Sequence, residues 1–191
     1  MKKYGLITIL LLICSCNEVK NFDKYIFIPD KDDPNLPAYT ELGYNTFGAK
    51  YGNSYFLPSN RSSFGVDYHD GILDLWLDGR QEGNNLVSTS LTFSFPSSPV
   101  HVYQDLVSLD GTTIDLTDTS CNLIMSSGYQ EADTLIVSNG HLNIKRAQVL
   151  RIDKEDDRAI LSGTFDAQFL RNGVKETISN GRFDLGIIKV N

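Results

Sequence analysis

Four side chains on the solvent side of one predicted β-hairpin have the types that could bind a ligand. They are Asp67, Asp74, Trp76 and Asp78. A two-residue Asp70-Gly71 turn would place Asp67 directly opposite Asp74. Like charges that face each other destabilise a strand pair, so some other group should offset them. The carboxylates could accept hydrogen bonds from hydroxyl groups or hold Ca²⁺, which prefers oxygen ligands, while the indole could support a sugar ring.

The same residues also permit a purely structural interpretation. Trp76 would then cover Gly65, its predicted cross-strand neighbour, and the aspartates would be neutralised by Arg61, by Arg80 or by an adjacent strand. Surface charge pairs are common and individually weak, which favours this interpretation. Ligand binding and simple packing are therefore alternatives for this face.

Other residue types with chemical potential lack the spacing that a site needs. His69, His101 and His141 are scattered, without metal-ligand spacing. The acidic loop 153–157 lacks the glycine and the spaced ligands of a calcium-binding loop. Gly-x-Ser-x-Gly is absent, and no serine is visibly paired with histidine and aspartate. We therefore expect no catalytic residue, no metal and no cofactor.

The N-terminus predicts a lipid anchor at Cys16. A positive start and an apolar run of about ten residues end in Ile13-Cys14-Ser15-Cys16, which is typical of a bacterial lipoprotein signal peptide. Cleavage after Ser15 would leave Cys16 as an acylated N-terminus that carries chains such as palmitate. Cys14 is a poorer acceptor because the bulky Ile13 precedes it. A plain secretory signal is the alternative, but it does not need a cysteine at the cleavage site.

The residue after the acceptor bears on location. Asn17 is not the aspartate that would favour retention in the inner membrane, so we expect the outer membrane, on either the periplasmic or the cell-surface face. The apolar run is too short to span a bilayer, which takes about 20 helical residues.

The net charge and the number of cysteines limit the classes of partner and the disulfides that this protein can have. Loss of residues 1–15 would leave 176 of the 191 residues and would change the net charge from −7 to −9, because Lys2 and Lys3 are removed. An acidic domain repels phosphate backbones, which argues against nucleic-acid binding. Cys121 would remain as the only free thiol, so no intramolecular disulfide can form, and its apolar setting favours a buried structural role.

The elements that must position these residues are all β. Residues 1–15 form the predicted signal peptide and residues 16–39 a proline-broken tether, whose apolar patch Tyr25–Ile28 could dock on the domain. From residue 40 to 191, short alternating runs are separated by glycine turns. The run Val87 to Phe95 has one apolar and one serine-rich face. This predicts one antiparallel β-sandwich of about eight to eleven strands, with a closed lipocalin-like barrel as the alternative.

Alternation also predicts the register of two hairpins. The Asp-Gly turn pairs Tyr68 with Leu73, so that the apolar partners of the first hairpin share one face. For the second hairpin, a two-residue Asn-Gly loop would place the apolar sets on opposite faces. We therefore expect a three-residue loop, 171–173, that pairs Leu161 with Phe183.

Together with the signal, two segments carry a family resemblance. One runs from Gly43 to Lys50 (Gly-Tyr-Asn-Thr-Phe-Gly-Ala-Lys), and the other combines Leu161–Phe165 with Ile178–Asp184. They resemble a group of small uncharacterised lipoproteins from Bacteroidota. The resemblance covers residues 40–190 loosely and implies an exported β-rich domain without an established activity, so it transfers no functional residue.

Three functions are compatible with these observations. The first is a non-catalytic binding or accessory module for a glycan or an envelope protein. The second is a hydrolase of envelope or dietary polymers, which would need convergent carboxylates in a cleft. The third is a structural lipoprotein without a small ligand. A pocket of several hundred Å³ with converging polar residues would favour the first two over the third.

Overall fold

A computed structural model describes residues 25–59, 63–82, 88–97, 99–128, 131–152 and 156–188. They form ten strands and one 3₁₀ helix, Tyr103–Leu109. The strands are β1 (Thr46–Tyr51), β2 (Ser54–Leu57), β3 (Phe64–His69), β4 (Ile72–Gln81), β5 (Ser88–Pro96), β6 (Thr113–Asp115), β7 (Asn122–Ser127), β8 (Asp133–Ile152), β9 (Asp156–Arg171) and β10 (Val174–Ile188). Within those ranges, no helix is long and apolar enough to cross a membrane.

Eight strands close into an antiparallel barrel. The sheet runs β2-β1-β10-β9-β8-β7-β5-β4, and β4 returns to pair with β2. Apart from β3 and β6, neighbours in the ring follow the order of the chain, as in an up-and-down barrel. The closing contact is short, because β2 and β4 pair at only two positions, Phe56 with Gln81 and Leu57 with Arg80. Along the rest of that edge, β4 pairs with β3 instead.

The expected β-sandwich is therefore wrong, and the alternative of a closed barrel is confirmed. The long strands β8, β9 and β10 allow the closure. Register shifts interrupt β8 twice and β10 once, and such bulges bend a strand strongly. One bent sheet can then wrap around a core that two flat sheets would otherwise enclose. Sequence alternation could not separate the two architectures, because both bury one face of each strand.

Large aromatic side chains fill the barrel. Phe93 and Phe165 meet at 5.0 Å between ring centroids with an interplanar angle of 64°. Phe183 lies against Gly163, where an added Cβ would approach its ring to 2.6 Å. At one end, a cavity of about 10 Å³ beside Met125 is too small for an organic ligand. A ligand would therefore have to bind elsewhere than at this packed part of the interior.

The two predicted hairpin registers had different outcomes. In β3–β4, Tyr68 pairs with Leu73 and Phe64 with Leu77, so the first prediction is confirmed. In β9–β10, Leu161 pairs with Leu185 rather than Phe183, so the three-residue loop is wrong. The loop has two residues, and one extra residue between Ile178 and Gly181 restores the apolar face. Asn180, at this bulge, has a φ of 53°.

The described part of the predicted tether packs on the barrel. Leu36 is fully buried, and an added Cβ on Gly48 of β1 would lie 2.7 Å from Pro37 Cδ. Arg182 Nη1 in β10 donates to Asp30 Oδ2 at 2.7 Å and to the Pro37 carbonyl oxygen at 3.2 Å. Residues 25–39 thus form a strap across β1 and β10.

Candidate functional site

The candidate face lies on the outside of β3, β4 and β5. Along β4, Leu73, Leu75 and Leu77 are buried, whereas the residues between them face outward. Strand pairing places outward residues of β4 next to hydroxyl side chains of β5. These cross-strand pairs are Asp74 with Ser94, Trp76 with Thr92, and Asp78 with Ser90. The face therefore combines carboxylates, an indole and a row of hydroxyl groups.

Trp76 rests on Gly65, its partner in β3. A Cβ added to Gly65 would lie 2.8 Å from Trp76 Cζ2 and 3.3 Å from Nε1, so the indole fills the space that a side chain would take. The tryptophan is partly exposed. The glycine thus supports the ring from one side, as the packing interpretation expected. This support also fixes the position of the indole on the face.

Asp74 has an unusual environment for a carboxylate. Its Cα partner in β3 is Asp67, so two acidic side chains face each other. Asp74 Oδ1 is buried and has no hydrogen-bond partner among the described residues. Its Oδ2 lies 3.9 Å from His69 Nδ1, a contact that attracts only when the imidazole is protonated. A buried acceptor without a donor costs free energy, which a bound donor would recover.

The other two aspartates have local partners. Asp67 Oδ1 accepts a hydrogen bond from the Tyr68 backbone N–H at 2.9 Å, and Asp78 Oδ2 accepts one from Ser63 Oγ at 2.6 Å. Of the proposed neutralising residues, Arg80 is exposed and makes no ion pair with these aspartates in the described structure. Arg61 lies outside the described residues. The structure thus places all four predicted residues on one face, with Asp74 the least satisfied.

Other sequence candidates do not join this face as a metal or catalytic centre. The described ranges contain no group of three or more His, Cys, Asp or Glu placed to hold a metal ion. His101 Nδ1 lies 3.1 Å from Tyr68 Oη, and the two rings meet edge to face. Cys121 is partly buried against the core, and burial raises the pKa of its thiol, which disfavours a nucleophilic thiolate. Cys16 and residues 153–155 lie outside the described residues.

An open groove of about 540 Å³ between the 3₁₀ helix and β8 was not predicted from sequence. Val107, Val149 and Arg146 line it together with several polar side chains. The Arg146 guanidinium donates twice to Gln148 Oε1, at 2.7 and 3.1 Å, so its charge is partly engaged within the groove. No sequence motif could reveal this groove, because two elements far apart in the chain form it.

A fully buried carboxylate, Asp184 in β10, was also missed. It is 1% exposed, because residues 40–45 fold over this part of the sheet. Five groups donate to it at 2.5–3.2 Å: the hydroxyls of Thr40 and Ser162 and the backbone N–H groups of Leu42, Gly43 and Tyr44. Both oxygens are thus satisfied within the protein, so Asp184 has a structural role.

These contacts connect the sequence segments 43–50 and 178–186, which lie far apart in the chain. Asp184 Oδ1 accepts a hydrogen bond from the Gly43 backbone N–H at 2.7 Å, and Asn45 Oδ1 accepts one from Gly186 N at 2.8 Å. In comparisons with known proteins, no family model, curated protein or solved structure matches this chain. The outer face of β3–β5 and the chemistry of its side chains are therefore the basis for inferring a function.

Proposed function

We propose that this protein is a lipid-anchored, non-catalytic binding module of the outer membrane that recognises a glycan on the outer face of β3–β5. The observation that carries the proposal is Asp74 Oδ1, a buried carboxylate oxygen without a donor among the residues that the structure describes. It faces Asp67 and lies two residues from Trp76 on the same face. The Asp74 side chain is 25% exposed, and rotation of its carboxyl group would bring Oδ1 to the surface, where a ligand rich in hydroxyl groups would supply the missing donor.

The chemistry of a sugar fits the three kinds of side chain on this face. Hydrogen bonds to an ionised carboxylate are about twice as strong as those between neutral groups, so hydroxyl donors would favour Asp74. The apolar face of a sugar ring would pack on the Trp76 indole, which Gly65 holds in place. Residues two apart in a strand are separated by about 7 Å, a span that one sugar ring can bridge.

Attachment at Cys16 explains why such a module would remain at the envelope. The signal-like N-terminus and the resemblance to Bacteroidota lipoproteins support this part of the proposal. Acyl chains on Cys16 would hold the protein in the outer membrane. Protease treatment of intact cells would show whether the domain faces the cell surface or the periplasm.

A glycan array with the purified mature protein, followed by calorimetric titration of any sugar that binds, tests the ligand. We expect Asp74→Asn and Trp76→Leu each to weaken binding by about tenfold, which corresponds to about 1.4 kcal/mol. Leucine keeps an apolar cover over Gly65 but removes the ring. The matched control is Asp166→Asn, an exposed aspartate on β9, and it should bind like the wild type.

Two outcomes would contradict the proposal. One is the absence of binding to any glycan. The other is unchanged affinity in both Asp74→Asn and Trp76→Leu, with the fold verified by cooperative unfolding. If Arg146→Ala alone weakened binding, the ligand would occupy the groove beside the 3₁₀ helix instead.

A further inference from the structure

Four consecutive large apolar residues are exposed at the start of the described chain. Tyr25, Ile26, Phe27 and Ile28 have 42%, 38%, 37% and 43% of their surfaces accessible. Single exposed apolar residues are common, but a continuous run of this kind is a feature of contact surfaces. None of the four belongs to the core cluster or to the side chains packed against it. We refer to Tyr25–Ile28 as the ridge.

Two backbone hydrogen bonds hold the ridge in place. Ile26 N donates to the Tyr44 carbonyl oxygen at 3.0 Å, and Ala38 N donates to the Ile28 carbonyl oxygen at 2.6 Å. Behind the ridge, Pro29 forms a bridge with Pro37, next to the buried Leu36. The backbone of the ridge is therefore fixed by hydrogen bonds, and its side chains are partly exposed, with the Tyr25 hydroxyl turned toward Thr46.

Its position in the chain indicates what could cover it. Eight residues, 17–24, separate the ridge from Cys16, and an extended chain of that length reaches at most about 30 Å. Any bilayer that holds acyl chains on Cys16 therefore lies within reach of the ridge. No other described part of the chain is closer to the anchor in sequence.

The composition of the ridge suits the boundary between lipid and water. Tyrosine has an apolar ring and a polar tip, a combination enriched at membrane interfaces, and the other three side chains are wholly apolar. The rings of Tyr25 and Phe27 lie 6.1 Å apart, so they form one small aromatic surface. The net charge of −9 after signal removal opposes anionic lipid, so contact would depend on apolar burial in zwitterionic lipid.

We propose that the ridge is a membrane-contact surface that inserts into the interfacial layer of the bilayer to which Cys16 is anchored. This inference rests on the proposed lipid attachment. Two or more acyl chains on Cys16 already hold the protein at the membrane, and the apolar contact of the ridge would add to that attachment. Two points of contact, the acyl chains and the ridge, would also set the orientation of the barrel relative to the membrane.

The test uses the mature acylated protein in phosphatidylcholine–phosphatidylethanolamine vesicles. The reporter is Phe27→Trp in a Trp76→Phe background, which makes the introduced indole the only tryptophan. Lipids brominated near the headgroup end of the chain should quench its emission. The control is Ile136→Trp in the same background, at a β8 residue that is 69% exposed, and its emission should persist.

The outcomes separate this inference from the proposed function. Mass spectrometry first establishes whether Cys16 carries acyl chains. If Cys16 is not acylated, both the proposed anchor and the ridge contact are overturned. With Cys16 acylated, equal quenching at positions 27 and 136, or none at either, would overturn the ridge contact alone. A blue shift of the Phe27→Trp emission that depends on protein concentration, without quenching by lipid, would mean that a second copy covers the ridge and would also overturn the inference.

Discussion

Asp184 and Asp74 are both carboxylates on the outer side of one sheet, but their environments are opposite. Asp184 is 1% exposed and accepts hydrogen bonds from five donors of the chain. Asp74 faces a second aspartate, and one of its oxygens is buried without a donor in the described part of the chain. The first arrangement stabilises the fold. The second costs stability and is therefore the better candidate for a ligand.

The difference has a simple physical basis. A buried charge is tolerated when hydrogen bonds replace the water that it loses, and the arm 40–45 supplies those bonds to Asp184. Within the described ranges, no comparable arm donates to Asp74 Oδ1. Four substitutions, with progressively smaller expected effects on the free energy of unfolding, can test whether this contrast separates a structural carboxylate from a functional one.

The largest effect should come from Asp184→Ala. The substitution leaves three backbone N–H groups and two hydroxyls without their acceptor, and we expect the free energy of unfolding to fall by about 4 kcal/mol. Urea denaturation measures this change. Asp184→Asn keeps one acceptor oxygen and should cost less. A loss below about 1 kcal/mol in Asp184→Ala would contradict the structural role of this carboxylate.

The next effect should come from Gly65→Ala, which acts only on the outer face of β3–β5. The added Cβ would approach the Trp76 indole to 2.8 Å, so the ring must move. We expect a loss of about 1–2 kcal/mol in stability from this overpacking, together with weaker glycan binding. In a Trp76→Leu background the stability cost should shrink, because the clashing ring is absent. An equal cost in both backgrounds would show that Trp76 does not limit the space above Gly65.

Asp74→Asn should change stability in the opposite direction from Asp184→Asn. It removes the repulsion between two opposed carboxylates and lets the new amide donate to Asp67. We expect a gain of about 0.5 kcal/mol in the free energy of unfolding, although ligand affinity falls. Asp166→Asn, on β9, should leave stability unchanged. A clear destabilisation by Asp74→Asn would indicate that this carboxylate has a structural partner.

Local sequence signals predicted one hairpin correctly and failed on the other for an identifiable reason. In β3–β4, alternation is uninterrupted and the turn residues Asp70 and Gly71 both have positive φ, so turn chemistry and register agree. In β9–β10, one extra residue beside Asn180 changes the phase of the strand. Alternation cannot reveal such a bulge, because a shift of one residue and a longer loop produce the same pattern.

The sequence predicted which residues share the candidate face, but it did not predict which groups surround their side chains. The register of the first hairpin placed Asp67 opposite Asp74 and Trp76 on Gly65, as the structure shows. The missing donor at Asp74 Oδ1 depends on every neighbour in three dimensions. Burial of Asp184 was unpredictable for the same reason, because its position in the alternation indicates an outward side chain that residues 40–45 then cover.

The smallest effect concerns Asp30, whose carboxylate resembles Asp184 in having donors but lies near the surface. The backbone N–H groups of Asp32 and Asp33, and then the Arg182 guanidinium, hold the pKa of Asp30 below its usual range. A lowered folded-state pKa contributes stability above the unfolded value of about 3.9 and loses it as the pH falls through the folded value. The cost of Asp30→Asn should therefore be larger at about pH 5.5 than at about pH 3, as urea denaturation at both values would show. Asn35→Ala, a nearby substitution without a titrating group, should cost the same at both. If the Asp30→Asn cost grew on acidification, the strap would be held by something other than the ionised Asp30.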